Sequence, residues 1–249
     1  MNYSYLSDSV KVKKISEDAK KGVFQIEGLY PGYGLTLGNS LRRALLSSLP
    51  GAAVTQFKVK GALHEFSTIP GVLEDVVEIG LNLKKLRFKF LADEEQVLTI
   101  KTKGEGEVTG SSVESNPQVI VVNPDVHLFT VTDKKASVEI EITVDKGLGY
   151  IPVERRKLGK LEVGVIALDT IFTPVTNVAV AVENMRVGDR TDYNRLDVTI
   201  ETDGSVTPSE ALHKAGNILV DHFKKIGLGG LEEKGGSEEE NAGEVVKEV

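Results

Sequence analysis

The chain of 249 residues contains no cysteine. Disulfide bridges, thiolate zinc sites, iron–sulfur clusters and a cysteine nucleophile are therefore excluded. Long apolar runs are also missing, since no stretch approaches the roughly 20 residues that cross a bilayer. The first 14 residues lack the apolar centre of a signal peptide. We therefore expect a cytoplasmic protein with no membrane partner.

An excess of basic residues is missing as well. The sequence has 30 Lys and Arg against 37 Asp and Glu, which gives a net charge of −7. Seven Glu and only two Lys fall in residues 231–249, so the remainder of the chain is close to neutral. Because a DNA-binding domain usually carries a basic excess, the composition argues against a dedicated DNA-binding surface.

Residue patterns for catalysis are absent too. The histidines do not have metal-ligand spacing, and no Asp-x-Asp-x-Asp cluster offers a magnesium site for nucleotidyl transfer. The glycine pairs in residues 104–106 and 147–149 complete no phosphate-binding fingerprint and are read as turns. These patterns predict a non-catalytic α+β protein with no metal site or cofactor, whose better signals are packing and interaction surfaces.

Apolar periodicity predicts a helix over residues 36–49, stopped by Pro50. Its apolar face carries Leu37, Leu41 and Leu45. Arg43 and Leu46 lie on the opposite face, one helical turn apart. Leu46 is open to two interpretations, either a scattered surface leucine or part of a contact patch for a partner.

Two further helices are predicted, over residues 72–85 and 208–226. A capping box at Thr207 and Glu210, with Pro208 between them, starts the last helix. Its wide apolar stripe includes Leu212, Leu219, Phe223 and Ile226. Alternation predicts strands at residues 9–15, 23–27, 53–59, 87–90, 97–102, 118–122, 128–131, 137–144, 177–183 and 195–201.

Several segments match, in order, the sequence signature of a known family. The longest is residues 34–51, which read GLTLGNSLRRALLSSLPG. The others are residues 63–68, 71–75, 81–84, 147–152, 172–175, 182–184, 190–193 and 202–204. Over about residues 10–228, the chain resembles the alpha subunit of bacterial DNA-directed RNA polymerase.

The resemblance implies a fold of two subdomains, one inserted in the other. Residues 1–50 and 177–228 would form a dimerisation subdomain, residues 51–176 a mostly β insert, and residues 229–249 a flexible acidic tail. In this family the first and last helices pack against their copies across a two-fold axis. The implied dimer interface comprises Leu37, Leu41, Leu45, Leu212, Leu219, Phe223 and Ile226.

The resemblance also assigns contacts with the large subunits. Arg43, Leu46, Lys84 and Val175 match family positions that contact the beta subunit, which favours the contact-patch interpretation of Leu46. Glu78 and Val182 match positions linked to the beta-prime subunit. The homodimer would be the platform on which beta and beta-prime assemble, with omega and sigma joining the whole enzyme. Catalytic magnesium is expected on beta-prime, and the enzyme is expected at the nucleoid.

One feature departs from the family pattern. Typical members continue into a helical C-terminal domain that binds promoter DNA, whereas here only the acidic tail follows residue 228. We therefore expect this chain to make no direct DNA contact. The alternative function is a free-standing dimeric adaptor or regulator with an alpha-like fold. Arg43 together with Lys84 favours the polymerase, because an adaptor would not need the beta-facing pair.

Overall fold

In the computed structural model, which describes residues 8–92, 94–156 and 162–228, strands are the main secondary structure, and three helices pack on them. The helices are α1 (Tyr33–Ser47), α2 (Val76–Leu83) and α3 (Pro208–Leu228). The strands are β1 (Lys11–Glu17), β2 (Lys21–Leu29), β3 (Pro50–Val59), β4 (Phe88–Phe90), β5 (Gln96–Lys103), β6 (Gly106–Thr109), β7 (Val119–Val121), β8 (His127–Val131), β9 (Ser137–Leu148), β10 (Tyr150–Ile151), β11 (Val165–Ala167), β12 (Thr170–Ile171), β13 (Val175–Val187) and β14 (Arg190–Thr202). The α+β class predicted from the sequence is confirmed.

The two ends of the chain meet in one antiparallel sheet, ordered β1-β2-β14-β13. Gln25 of β2 pairs with Asp197 of β14, although they lie far apart in sequence. Alternate residues of β2 and β14 are buried, which gives the sheet one apolar face. Helices α1 and α3 cover that face and contact each other. The fully buried side chains of this first core include Leu29, Leu45, Leu196, Val198, Ile200, Ala211 and Ala215.

The middle of the chain forms a second sheet, ordered β11-β3-β9-β5 and antiparallel throughout. Helix α2 packs against it, and the pairs β4-β7, β6-β8 and β10-β12 complete this part of the protein. The fully buried side chains of this second core include Val76, Ile79, Leu83, Ile100, Leu128, Phe129, Ile140, Ile142 and Val144. The protein therefore has two separate cores, one from the chain ends and one from its middle.

The helix boundaries differ from the predicted ones by a few residues. Helix α1 begins three residues early, at Tyr33, and α2 is shorter than predicted at both ends. The predicted capping box is confirmed at α3: the Glu210 N–H donates to Thr207 Oγ1, and the Thr207 N–H donates to Glu210 Oε2, both at 3.3 Å. None of the described helices combines the length and the apolarity that crossing a membrane requires. The predicted acidic tail, residues 229–249, lies outside the described residues.

Candidate subunit-contact surfaces

Helix α1 lies on the first sheet and turns Arg43 towards solvent. The helix approaches the sheet closely at Gly38, where a side-chain carbon would lie 2.8 Å from Val180 Cγ1 and 3.0 Å from Leu196 Cδ1. The start of α1 is fixed by Asn194 of β14, whose Oδ1 accepts hydrogen bonds from the Gly32 N–H at 2.9 Å and the Gly34 N–H at 3.3 Å. The rotation of α1, and hence the direction of Arg43, is set by these contacts.

The predicted pair Arg43 and Leu46 lies near the C-terminal end of α1. Arg43 is exposed, and no carboxylate of the described residues forms an ion pair with it. Leu46 is half-buried, because one side of it packs against the first core. The pair thus offers an unpaired guanidinium beside apolar area, which suits an anchor for a partner.

Lys84 follows the last turn of α2 and is half-buried. Lys84 borders a groove of about 150 Å³. The walls of the groove include the exposed side chains of Val77 and Leu81 and the side chain of Asp169. The start of α2 is capped by Asp75, whose Oδ1 accepts a hydrogen bond from the Glu78 N–H at 2.7 Å. Glu78 itself is exposed in this first turn.

Three exposed apolar residues have neighbours in common with the two predicted beta-contact sites. We call Leu148, Tyr150 and Ile171 the apolar strip; they are 54%, 59% and 51% exposed. Tyr150 pairs with Ile171 across β10 and β12. Beyond one end of the strip, Thr173 Oγ1 donates to the Leu46 carbonyl at 3.4 Å.

At its other end the strip reaches the groove beside Lys84. The pKa of the Tyr150 phenol lies above its ordinary value, because of desolvation and because the Asp169 carboxylate is a neighbour. The apolar strip is therefore linked by contacts to Leu46 on one side and to the groove beside Lys84 on the other. Sequence reasoning missed the strip, although residues 147–152 were among the matching segments.

Val175 corrects one expectation. Its side chain is 3% exposed and packs in the first core at the start of β13. A side chain with almost no accessible surface cannot contribute area to a contact with another subunit, so we remove Val175 from the beta-contact set. Val182 is half-buried against that core, and only part of it faces solvent.

The residues predicted for the dimer interface divide into three groups. Leu37, Leu41, Leu212 and Leu219 are half-buried at the edge of the first core. Phe223 and Ile226, near the end of α3, are 59% and 74% exposed, and Val220 beside them is 46% exposed. Leu45 is 0% exposed. The expectation that Leu45 lies in the interface is therefore wrong, because its whole side chain is used within the protomer.

The buried carboxylate of Glu74 holds the start of α2 in place through hydrogen bonds to residues of β8. Glu74 immediately precedes the cap Asp75, and its Oε2 accepts from the Thr130 N–H at 2.7 Å, while its Oε1 lies 2.9 Å from His127 Nε2. Glu107 lies on the other side of the imidazole, 2.9 Å from His127 Nδ1. Both ring nitrogens can donate only in the imidazolium form.

The hydrogen bonds of this cluster shift the pKa values of His127 and Glu74. The hydrogen bond with Glu74 is the main reason that the pKa of His127 lies above its ordinary value. For Glu74, burial raises the pKa, but the hydrogen bonds from Thr130 and His127 outweigh it and the pKa is lowered. Within residues 8–92, 94–156 and 162–228, no group of three or more His, Asp or Glu side chains is arranged to hold a metal ion.

Comparisons with a family model and with individual known proteins agree on one family. A sequence model of the RNA polymerase Rpb3/RpoA insert domain matches residues 56–173. The protein named DNA-directed RNA polymerase subunit alpha from Carboxydothermus hydrogenoformans is 49% identical over 214 residues, which are 86% of this chain and 68% of that protein. The proteins of the same name from Symbiobacterium thermophilum and Desulforamulus reducens are 48% and 49% identical, over 84% and 88% of this chain and 66% and 70% of their own lengths. The chain thus spans about two thirds of the length of these relatives.

Proposed function

Since this chain belongs to the family of bacterial DNA-directed RNA polymerase alpha subunits, we propose that it is the assembly subunit of that enzyme. Two copies pair with each other, and the pair recruits the two large subunits, beta and beta-prime. The observation that carries this proposal is the set of contacts that link the apolar strip to Leu46 through Thr173 and to the groove beside Lys84 through Asp169. Residues 1–50 with 177–228 serve dimerisation, and residues 51–176 form the insert, a division that the two separate cores support except at Val175, which belongs to the first core.

Dimerisation uses the exposed apolar end of α3. Phe223 and Ile226 leave a large apolar area in contact with water, which favours an interface. The half-buried leucines at the edge of the first core extend that area towards α1. An obligate dimer of this kind buries on the order of 2,000 Å² or more. The pairing partner is a second copy of this chain.

Beta binds the surface that contains Arg43, Leu46 and Lys84. Each cation can form a charge-assisted hydrogen bond with a carboxylate or carbonyl of beta, while the apolar strip between them supplies buried area. In the dimer one protomer contacts beta in this way and the other contacts beta-prime. Glu78 in the first turn of α2 and the exposed part of Val182 belong to the beta-prime contact.

The chain supplies no catalytic group of its own to this enzyme. Nucleotidyl transfer, with its magnesium, takes place on the beta-prime and beta subunits, and omega and sigma join the assembled complex. Because transcription occurs on chromosomal DNA, the protein acts in the cytoplasm at the nucleoid. The chain carries no basic excess, so we assign it no direct DNA contact.

Replacing Arg43 tests the proposal. The Arg43→Ala protein should remain dimeric by analytical ultracentrifugation, because Arg43 faces away from the first core. Its affinity for purified beta should fall about 30- to 1,000-fold, or roughly 2–4 kcal/mol, if Arg43 is a hot spot. Leu46→Ala should have a smaller effect of the same kind, since it removes apolar area without leaving a charge unpaired.

Lys103→Ala is the matched control, because Lys103 is an exposed cation on β5, outside the proposed surface. It should leave both measurements unchanged. Unchanged beta binding by Arg43→Ala would refute the assignment of this surface. If the wild-type dimer does not bind beta at all, the free-standing adaptor becomes the better function.

A further inference from the structure

Two adjacent chain crossings join the two cores. The chain leaves the first core at Gly51 and returns at Phe172, and the crossings touch: a side-chain carbon on Gly51 would lie 1.8 Å from the Phe172 carbonyl oxygen. Beside them, a cleft of about 280 Å³ separates the start of α3 from residues 88–91. The cores are joined covalently at these two crossings, so a contact between them elsewhere restricts the angle at which they meet.

Such a contact is made by the turn between β14 and α3. Asp203 in this turn lies 3.7 Å from Arg87, measured from Oδ2 to Nε, and its side chain is only 9% exposed. Its other oxygen, Oδ1, accepts hydrogen bonds from the Ser205 N–H at 2.9 Å and the Ser205 hydroxyl at 2.6 Å. Gly204 also packs on the insert, since a side-chain carbon there would lie 3.1 Å from Val122 Cγ1.

Arg87 connects this turn to the end of α2. Its Nη1 donates to the carbonyl oxygens of Lys84 at 2.8 Å and Leu86 at 3.0 Å. Its backbone N–H donates to Asn123 Oδ1 at 2.7 Å, and Asn123 Nδ2 donates to the Lys85 carbonyl at 2.8 Å. One guanidinium therefore donates hydrogen bonds to carbonyls at the C-terminal end of a helix and also forms an ion pair with an aspartate beside the other core.

We propose that Arg87 and Asp203 form a latch that holds Lys84 in position relative to Arg43 for binding beta. Arg87 is a positioning residue, since it acts through the backbone of Lys84 rather than by touching beta. The inference rests on the proposed function, because it assigns a purpose to the distance between two predicted beta contacts. The inference adds that the angle between the two cores determines whether Arg43 and Lys84 can contact the same beta subunit at once.

Hydrogen–deuterium exchange on the full-length dimer tests the latch without beta. Arg87→Gln should speed exchange of the amides at the end of α2 by roughly three- to tenfold, as expected for loss of a partly exposed ion pair and its hydrogen bonds. Asp203→Asn should speed exchange of the same α2 amides, although Asp203 lies in the turn before α3. The asparagine amide keeps an acceptor for Ser205 but loses the charge that faces Arg87. Arg190→Gln is the control, since Arg190 pairs locally with Asp192 and should leave α2 unchanged.

A double-mutant cycle tests what the latch is for. Arg87→Gln should weaken beta binding roughly three- to tenfold. In both the Lys84→Ala and the Arg43→Ala backgrounds this effect should shrink, because a protein with only one of the two contacts no longer depends on their relative position. A merely structural role of Arg87 would give the same loss in wild type and in both backgrounds.

The outcomes separate the latch from the proposed function. Unchanged exchange in α2 for Asp203→Asn overturns the latch. Faster exchange with the same loss of beta binding in wild type and in both backgrounds overturns the positioning of Lys84. If wild-type protein fails to bind beta, the proposed function fails, and the exchange experiment alone decides whether the latch exists.

Discussion

His127 lies between two carboxylates and fixes the residue that precedes the cap of α2. Because both ring nitrogens face glutamate oxygens, the folded protein favours the imidazolium form and its pKa is raised. Stability from this group is therefore fully present below the ordinary histidine pKa of about 6.5 and is lost as the pH rises through the higher folded value.

The His127→Gln variant tests this direction of pH dependence. The difference in unfolding free energy between wild type and variant should be larger at pH 6 than at pH 8.5, because only the imidazolium form bonds with both Glu74 and Glu107. His64→Gln is the control, since His64 Nδ1 faces the Ser67 hydroxyl at 3.2 Å rather than a carboxylate. A difference that is equal at the two pH values would contradict the charged state that we assign to His127.

Residue exposure shows how far the sequence could predict the contact surfaces. Helical periodicity correctly separates Arg43 from the apolar face of α1, because the period depends only on backbone geometry. It cannot distinguish Leu45, which is buried within the protomer, from Leu41, which lies half-buried at the edge. That distinction depends on where β13, β14 and α3 pack, and those elements follow far later in the chain.

At the scale of elements, α3 is held at its first turn by the β1–β2 hairpin. Glu17 accepts hydrogen bonds from the Ser209 N–H at 2.8 Å and the Ser209 hydroxyl at 2.7 Å, and it pairs with Lys14 at 2.9 Å. The bond with Lys14, followed by those with Ser209, lowers the pKa of Glu17 to about 2. A carboxylate at this position also complements the positive end of the helix dipole.

Glu17→Gln should lower the melting temperature of the protein at pH 7. A depressed folded pKa stabilises the protein above the ordinary glutamate value, and this stability is lost as the pH falls towards about 2. The difference in melting temperature between wild type and variant should therefore shrink between pH 5 and pH 3. Glu105→Gln, at an exposed turn of the insert, should show no such trend; a constant difference for Glu17→Gln would rule out the proposed anchor.

The elements that were predicted well have strong local signals. The capping box identified the start of α3, and alternation located β9, where Ile140 and Ile142 point into the second core. The strands β6, β10, β11 and β12 were missed, because segments of two to four residues carry little periodic signal, although the equally short β4 and β7 were predicted. The start of α1 was placed late because Gly34 belongs to a glycine- and proline-rich segment typical of a loop, whereas its missing side chain lets the helix approach Val182 of the sheet.

At the scale of the whole molecule, the exposed end of α3 and the buried centre of α1 should respond differently to substitution. Phe223→Glu should convert the dimer to a folded monomer, because the side chain is exposed in the protomer and a charge there opposes pairing. Leu45→Ala should lower the unfolding free energy by about 2–5 kcal/mol, because it leaves a cavity in the first core. Sedimentation and chemical denaturation distinguish the two effects.

Lys225→Glu is the control for dimerisation, since Lys225 lies on the other side of the same helix and is exposed. It should leave the sedimentation coefficient unchanged. A Phe223→Glu protein that remains dimeric would place the interface elsewhere, on the half-buried leucines of α1 or beyond them.

The pairing of β2 with β14 determines the order in which the protein can fold during synthesis. Every strand of the second sheet lies between Pro50 and Ala167, so the insert can fold as soon as it leaves the ribosome. The N-terminal hairpin and α1 are made first, yet they lack their partner strand and α3 until residues 190–228 have been made. At about 5–20 residues per second this interval is on the order of ten seconds or more. The apolar side of α1 therefore lacks its partners in the nascent chain during this interval, and pairing through α3 can begin only after that helix has been made.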